Sequence, residues 1–184
     1  KLKDLRFEKD VHLLNDQAEL PVIEAFDGQL ITGKINWRPK QSDGAFISAP
    51  EQDVLKIVVV NRYQDAKPAL GFIRGFGFKS GAIASTVAHD SHNIVAVGVS
   101  DEELLEAINS LIKEKGGISL SSEGKTELLP LPVAGLMSHK DGSEVARNYG
   151  AMDHMAKILQ SSLSAPYMTL SFMALLVITA LKLN

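Results

Sequence analysis

The residue types that could do chemistry are concentrated in the stretch HDSHN, residues 89–93. His89 and His92 could act as general acid and base or bind an anion or a metal ion, with Asp90 orienting one imidazole. We therefore take His89, Asp90 and His92 as candidate catalytic residues, and Ser91 and Asn93 as candidate substrate-binding residues. The alternative is a polar strand end whose side chains cap their own backbone groups. The residues alone favour neither interpretation, and an H-x-x-H pair without a third ligand nearby is too weak to assign a metal site.

The relative placement of the two histidines depends on the chain that leads into them. In a strand over residues 83–89, side chains alternate between the two faces of the sheet. A reversal at Asp90 and Ser91 would then place His89 opposite His92, with Cβ atoms roughly 4.5–5.5 Å apart. Asp-Ser is a poor two-residue turn, so a wider connection between the strands is the alternative.

Other polar stretches are better explained by structure than by chemistry. The segment GFIRGFGFKSG, residues 71–81, could cradle a phosphate with Arg74 and Lys79 nearby, but its spacing matches neither the dinucleotide motif nor the P-loop. Glycines that allow bends or close packing are the favoured interpretation. In SHKD, residues 138–141, Ser138 or Asp141 is expected to cap a helix.

Two further histidines, His12 and His154, stand alone and are expected to be surface or half-buried residues.

The first part of the chain is rich in strand signals. Residues 1–50 form a small β section in which Asp27-Gly28, between two apolar runs, predicts a hairpin. Residues 51–184 form the main unit, which begins with a strand around residues 57–60 that is expected to be buried on both faces. The stretch NIVAVGV, residues 93–99, predicts another strand of this unit.

Helices are expected only later. Ser100 and Glu103 form a capping box before an apolar stripe, and Gly116-Gly117 end this helix. Residues 118–129 predict a hairpin, and apolar spacing predicts a second helix from about Ser143 to Leu163. Together these elements predict an α+β fold, a mixed or mostly antiparallel sheet covered by helices.

The apolar run MTLSFMALLVITAL, residues 168–181, is too short for a membrane-spanning helix, which requires about 20 residues. We expect a buried core segment and no membrane partner. A core element so near the last residue leads us to expect that the native chain is longer.

Composition excludes several classes of function. A net charge of -3 gives no basic field, so we expect no nucleic-acid partner. The chain has no cysteine, which excludes thiolate catalysis and Cys-ligated zinc and is compatible with the cytoplasm, the expected location.

Three quoted stretches carry a family resemblance: GFIRGFGFKSGAIASTVAHDSHNIVAVGVSDEELLEAINSLIKEKGG, LPLPVAGLMS and YMTLSFMAL. Together they resemble the C-terminal domain of bacterial adenine deaminases of the amidohydrolase superfamily, over residues 22–183. The chain differs from the family's usual prolines at Leu176 and Thr179.

This resemblance implies a larger enzyme that hydrolyses adenine to hypoxanthine and ammonia. Its divalent metal, manganese or iron, is expected in a catalytic barrel preceding this domain, in the same chain or a separate subunit. This chain contains no H-x-H pair, so no metal ligand and no cofactor are assigned to it. By itself it is expected to be inactive, with residues 89–93 as the best candidate for reaching the purine site.

Two other functions stay open. The chain could be a non-catalytic interaction or oligomerisation module, whose apolar helix stripes and residues 168–181 contact a barrel subunit or a second copy. A self-sufficient hydrolase that uses His89, Asp90 and His92 is the least favoured.

Overall fold

A computed structural model describes residues 2–5, 7–8, 19–178 and 181–183. The helices in this part of the chain are α1 (Asp101–Glu114), α2 (Gly142–Ile158) and α3 (Pro166–Ser171). The strands are β1 (Phe7–Glu8), β2 (Leu20–Ala25), β3 (Thr32–Trp37), β4 (Lys40–Ser42), β5 (Ala45–Ile47), β6 (Val54–Val60), β7 (Ala69–Arg74), β8 (Ala82–Ser85), β9 (Ile94–Gly98), β10 (Gly117–Ser122) and β11 (Lys125–Pro130). A 3₁₀ turn, Pro50–Gln52, precedes β6.

Most of the described strands belong to one mixed sheet, in the order β11-β10-β8-β9-β6-β7-β2-β3. Its neighbours are antiparallel except β2 and β7, which run parallel. Strands β1, β5 and β4 form a smaller antiparallel sheet. This mixed sheet with its helices confirms the predicted α+β fold. Because β2 pairs with β7, residues before and after position 50 share one sheet.

The central strand β6 is buried along its whole length because helices cover both faces of the sheet. Leu55, Ile57 and Val59 pack in one core with residues of α2 and α3. Val58 and Val60 pack in a second core with residues of α1. The alternation follows from the two-residue period of a strand. It confirms the strand predicted to be buried on both faces.

A charged residue lies inside this strand. Lys56 is 1% exposed and forms an ion pair with Asp101, the first residue of α1, whose side chain is 30% exposed. The Lys56 ammonium also donates to the backbone oxygen of Leu5 at 3.2 Å. The pair therefore ties the start of α1 and residues 2–5 to the centre of the sheet.

Local sequence signals located several elements correctly. The hairpin of β2 and β3 turns around Asp27-Gly28, with Ala25 opposite Thr32. Ser100 caps α1, since its Oγ accepts a hydrogen bond from the Glu103 backbone N–H at 3.2 Å. Strands β10 and β11 form the predicted hairpin.

The predicted end of the second helix is wrong. Helix α2 ends at Ile158, five residues before the predicted Leu163. The Leu159 carbonyl accepts a hydrogen bond from the Lys79 backbone N–H at 3.1 Å, and Gln160 has a φ of 70°. The chain turns there, while Leu163 still packs in the core. A contact with a distant loop thus ends the helix although the apolar spacing continues.

The prediction of a buried segment over residues 168–181 is correct only in part. Leu170, Met173 and Leu175 are buried, but Leu176 is 54% and Val177 is 74% exposed. The chain passes through turns after α3, so Leu176 and Val177 leave the core, whereas Leu181 at the end of the run is partly buried against it. Thr179 lies outside the described residues. Among the helices described, none has the length and apolar character needed to cross a membrane.

Candidate functional site

The candidate residues lie on a loop, Thr86–Asn93, that connects β8 to β9. Ser85 opposite Val95 is the last pair of this hairpin. The predicted strand over residues 83–89 is therefore wrong beyond Ser85, and His89 and His92 are not cross-strand partners. Strand β8 ends because the Ser85 hydroxyl accepts a hydrogen bond from the Val87 backbone N–H at 2.9 Å. The wider connection, left open by the poor Asp-Ser turn, is the one observed.

The loop nevertheless brings the two imidazoles together. The ring centroids of His89 and His92 are 6.3 Å apart, at an interplanar angle of 57°. His89 stacks on Phe172, with centroids 4.9 Å apart and rings within 17° of parallel. Its backbone N–H donates to the carbonyl of Ser171, the last residue of α3, at 2.9 Å. Helix α3 thus fixes the position of His89.

His92 is half-buried in a left-handed conformation, with a φ of 54°. Its backbone N–H donates to the Ala88 carbonyl at 2.9 Å. Its Nδ1 atom is buried and has no hydrogen-bond partner within the described part of the chain. A buried polar atom without a partner is unfavourable. Among the polar atoms of the loop, this nitrogen is therefore the one for which a hydrogen-bond partner from outside the loop would be most favourable.

The other three candidates differ in exposure. Asp90 and Ser91 are exposed, and the Ser91 carbonyl accepts a hydrogen bond from the Tyr63 hydroxyl at 3.0 Å. Asn93 is 7% exposed, and its side-chain oxygen accepts a hydrogen bond from the Arg62 backbone N–H at 3.3 Å. Asn93 thus already supports the loop, whereas Asp90 and the Ser91 side chain face solvent.

Arg62 is the residue that sequence reasoning missed. Its guanidinium donates to the carbonyls of His92 at 3.2 Å, Ala134 at 3.1 Å and Lys115 at 3.4 Å. These carbonyls belong to three separate loops, so one side chain holds the three loops together. A Cβ atom on Gly135 would lie 2.4 Å from the guanidinium nitrogens, so Gly135 leaves the space that Arg62 occupies. The only signal in the sequence is a charged residue two positions after a buried strand.

Thr86 fixes the start of the loop. Its hydroxyl donates to the Gly135 carbonyl and accepts a hydrogen bond from the Gly117 backbone N–H at 2.8 Å. Thr86 is 1% exposed, so these bonds are shielded from water. Both ends of the loop are therefore anchored, and its tip alone reaches solvent.

An apolar cavity of about 600 Å³ opens beside the loop, between α2, α3 and the sheet. The Tyr167 hydroxyl in its wall donates to the Ser119 carbonyl at 2.9 Å. Burial raises the pKa of Tyr167 well above its usual value, and burial also raises the pKa of Tyr149. Both phenols therefore stay neutral at physiological pH. The cavity lining includes Ser85, Val87, Leu129, Leu131, Met137, Val145, Tyr149, Tyr167, Met168 and Ser171.

The glycine-rich segment has an internal ligand. The Asp53 carboxylate accepts hydrogen bonds from the backbone N–H groups of Gly75 at 2.8 Å and Gly77 at 2.7 Å. Lys79 donates to the Pro50 carbonyl at 2.6 Å. The chain's own carboxylate thus takes the place that a phosphate would need, which supports the structural interpretation of these glycines.

The remaining candidates have ordinary roles. Asp141 caps α2 by accepting hydrogen bonds from the backbone N–H groups of Ser143 and Glu144, as predicted. His154 is exposed on α2, also as predicted, and His12 lies outside the described residues. No group of three or more His, Asp or Glu side chains in the described ranges is placed to hold a metal ion.

The fold and the loop define an α+β domain that carries two adjacent imidazoles on an anchored loop. Residues 29–184 match the family model described as adenine deaminase C-terminal domain, and the chain belongs to this family.

Relatives named adenine deaminase support this assignment. The protein from Methanosarcina mazei is 50% identical over 90% of this chain and 30% of its own length. The protein from Sulfurovum sp. is 50% identical over 100% of this chain and 32% of its own length. The protein from Salinibacter ruber is 50% identical over 90% of this chain and 30% of its own length. The chain thus spans about a third of the length of these curated relatives.

Proposed function

We propose that this chain is the C-terminal part of an adenine deaminase, which adds water to adenine and releases ammonia to give hypoxanthine. The observation that carries the proposal is the 50% identity to proteins of that name over nearly the whole chain. These relatives are about three times as long as the match, so a separate catalytic part is expected, as a barrel of the amidohydrolase superfamily. A cytoplasmic location belongs to the same proposal.

Metal binding belongs to the other part of the enzyme in this proposal. A hydrolytic metal ion needs at least three protein ligands, and the described residues place no such group together. The described residues therefore do not fit the manganese or iron of the parent enzyme.

The contribution of this chain is the loop Thr86–Asn93, which we assign to one side of the purine site. His92 contributes an imidazole whose buried Nδ1 has no hydrogen-bond partner among the described residues, and His89 contributes an imidazole held by Phe172. Imidazoles exchange protons near neutral pH, and deamination requires proton transfer to the leaving nitrogen. Asp90 and Ser91 at the exposed tip can form hydrogen bonds with the base.

The experiment uses the full-length protein that carries this chain. We expect His89→Gln and His92→Gln to lower kcat/KM for adenine about 10²-fold, as loss of a proton-transfer group does. His154→Gln is the matched control on the exposed face of α2 and should stay within about twofold, as surface changes do.

Unfolding of the two loop variants and of the control is measured in the same assay. A change in activity without a change in the midpoint of unfolding then reports on the chemistry. Unchanged kcat/KM in both loop variants would contradict the assignment of the loop to the purine site. Absence of ammonia release from adenine by the full-length protein would contradict the proposed deaminase activity itself.

The second candidate is an interaction module without a part in catalysis. It is favoured by Met137 and Met168, which are 57% and 53% exposed at the rim of the cavity. A catalytic part that has full activity without this chain, but changes its oligomeric state, would establish this function instead.

A further inference from the structure

Large apolar side chains surround the candidate loop and are exposed. Tyr63 is 67%, Val133 42%, Met137 57% and Met168 53% exposed. We call these four residues, with the tip of the loop at residues 89–92, the loop face. Exposed apolar patches of this kind mark interaction sites rather than ordinary surface.

Contacts show that these residues form one continuous surface. The Tyr63 hydroxyl donates to the Ser91 carbonyl, and its neighbour Arg62 donates to the carbonyl of Ala134. Val133 and Met137 pair as an isolated β-bridge next to Ala134. Met137 and Met168 then line the same cavity from opposite elements. Met137 and Met168 therefore border a concave apolar cavity, and Tyr63 and Val133 are connected to them through the loop and the Val133–Met137 turn.

The loop face is also pre-organised for binding a partner that excludes water from it. Arg62 holds the backbone of His92 and of the Val133–Met137 turn in place, so little order is lost when a partner binds. Methionine side chains adapt to the shape of what they contact.

We propose that the loop face packs against the catalytic part of the same full-length polypeptide. The inference rests on the proposed function and adds which surface forms the interface. The relatives are about three times as long as this chain, so a partner of sufficient size is present in each of them. Contacts between domains of one chain bury about 600–1,500 Å² and are partly polar, which agrees with apolar residues around a polar loop.

The test uses the absence of cysteine from this chain, which allows single reporter cysteines. Met137→Cys and Met168→Cys are introduced separately into the full-length protein, and maleimide labelling is followed by peptide mass spectrometry. Ile158→Cys is the matched control, because Ile158 is 66% exposed on α2 and lies roughly 13 Å along the helix from the cavity residue Tyr149.

We expect both methionine-site reporters to label at least about tenfold more slowly in the folded protein than in urea, while the control stays within about threefold. A Met168→Glu substitution should restore rapid labelling at position 137, because a buried charge weakens the interface.

Three results would overturn the proposal. The methionine-site reporters could label as fast as the control. The control could be slowed equally, so that protection is not specific to the loop face. Protection could disappear on dilution, which would identify a second copy of the protein as the partner. Ammonia release from adenine is measured on the same samples, so loss of the interface and loss of the proposed activity are distinguished.

Discussion

The buried ion pair between Lys56 and Asp101 predicts an asymmetric response to mutation. Asp101→Ala leaves the ammonium of Lys56, which is 1% exposed, with the Leu5 carbonyl as its remaining partner among the contacts described. Removing one partner of a buried pair costs about 3–5 kcal/mol. Loss of an acidic residue from the first turn of α1 adds about 0.5 kcal/mol. We therefore expect Asp101→Ala to lower the free energy of unfolding by about 3.5–5.5 kcal/mol.

Lys56→Met should be much milder. It replaces the ammonium by an apolar group of similar length, and the carboxylate left behind can reach water because its side chain is 30% exposed. The Leu5 carbonyl loses one hydrogen bond, so the expected loss is about 1 kcal/mol. The double variant should be about as stable as Lys56→Met alone, because the unpaired charge is gone.

Urea denaturation, followed by circular dichroism, measures all three variants. The exposed pair of Lys40 and Glu51, with side chains 50% and 53% exposed, provides the control. Lys40→Met and Glu51→Ala should each change stability by less than about 1 kcal/mol. The reasoning is refuted if Asp101→Ala costs less than about 1 kcal/mol, or if Lys56→Met costs more than Asp101→Ala.

Three further predictions concern the loops and the cavity. Gly135→Ala should cost about 1–2 kcal/mol in urea denaturation, because Gly135 has a φ of 76° and its Cβ would meet the Arg62 guanidinium. Gly142→Ala, with nothing near its Cβ, should be neutral or stabilising, and an equal loss would contradict the clash. Asp53→Ala should cost about 2–4 kcal/mol, since two backbone N–H groups lose their acceptor, and an unchanged midpoint would contradict this role. Tyr167 has a raised pKa in the folded state, so its contribution is complete below pH 10 and is lost as pH rises further. Tyr167→Phe should reduce this alkaline loss of stability, and an identical pH profile would contradict it.

Elements with local signals could be predicted from the sequence. Helix α1 has its cap at Ser100, its apolar stripe and its terminating glycines within eighteen consecutive residues. The hairpins at Asp27-Gly28 and between β10 and β11 depend on turn residues that are adjacent in the chain. Each of these signals depends on residues that are close together in the chain, so the sequence alone is sufficient to predict the element.

The predictions from sequence were wrong where contacts between residues distant in the chain determine where an element ends. Helix α2 ends early because its last turn contacts Lys79, and β8 ends early because the Ser85 hydroxyl binds the Val87 backbone N–H. The position of His92 depends on Arg62, which is 30 residues away in the chain. The sequence therefore identified the residue types of the candidate loop but neither its shape nor its anchors.

The parallel pairing of β2 with β7 has a consequence for synthesis on the ribosome. Val22 pairs with Phe72, so the first hairpin is complete long before its neighbour in the sheet has been made. At about 5–20 residues per second, the interval is roughly 2–7 s. During this time the apolar side of the nascent hairpin has no sheet to join. A translational pause after β3 has emerged from the ribosome but before β7 has emerged would lengthen this exposure, whereas a pause after β7 has emerged would give the hairpin time to dock.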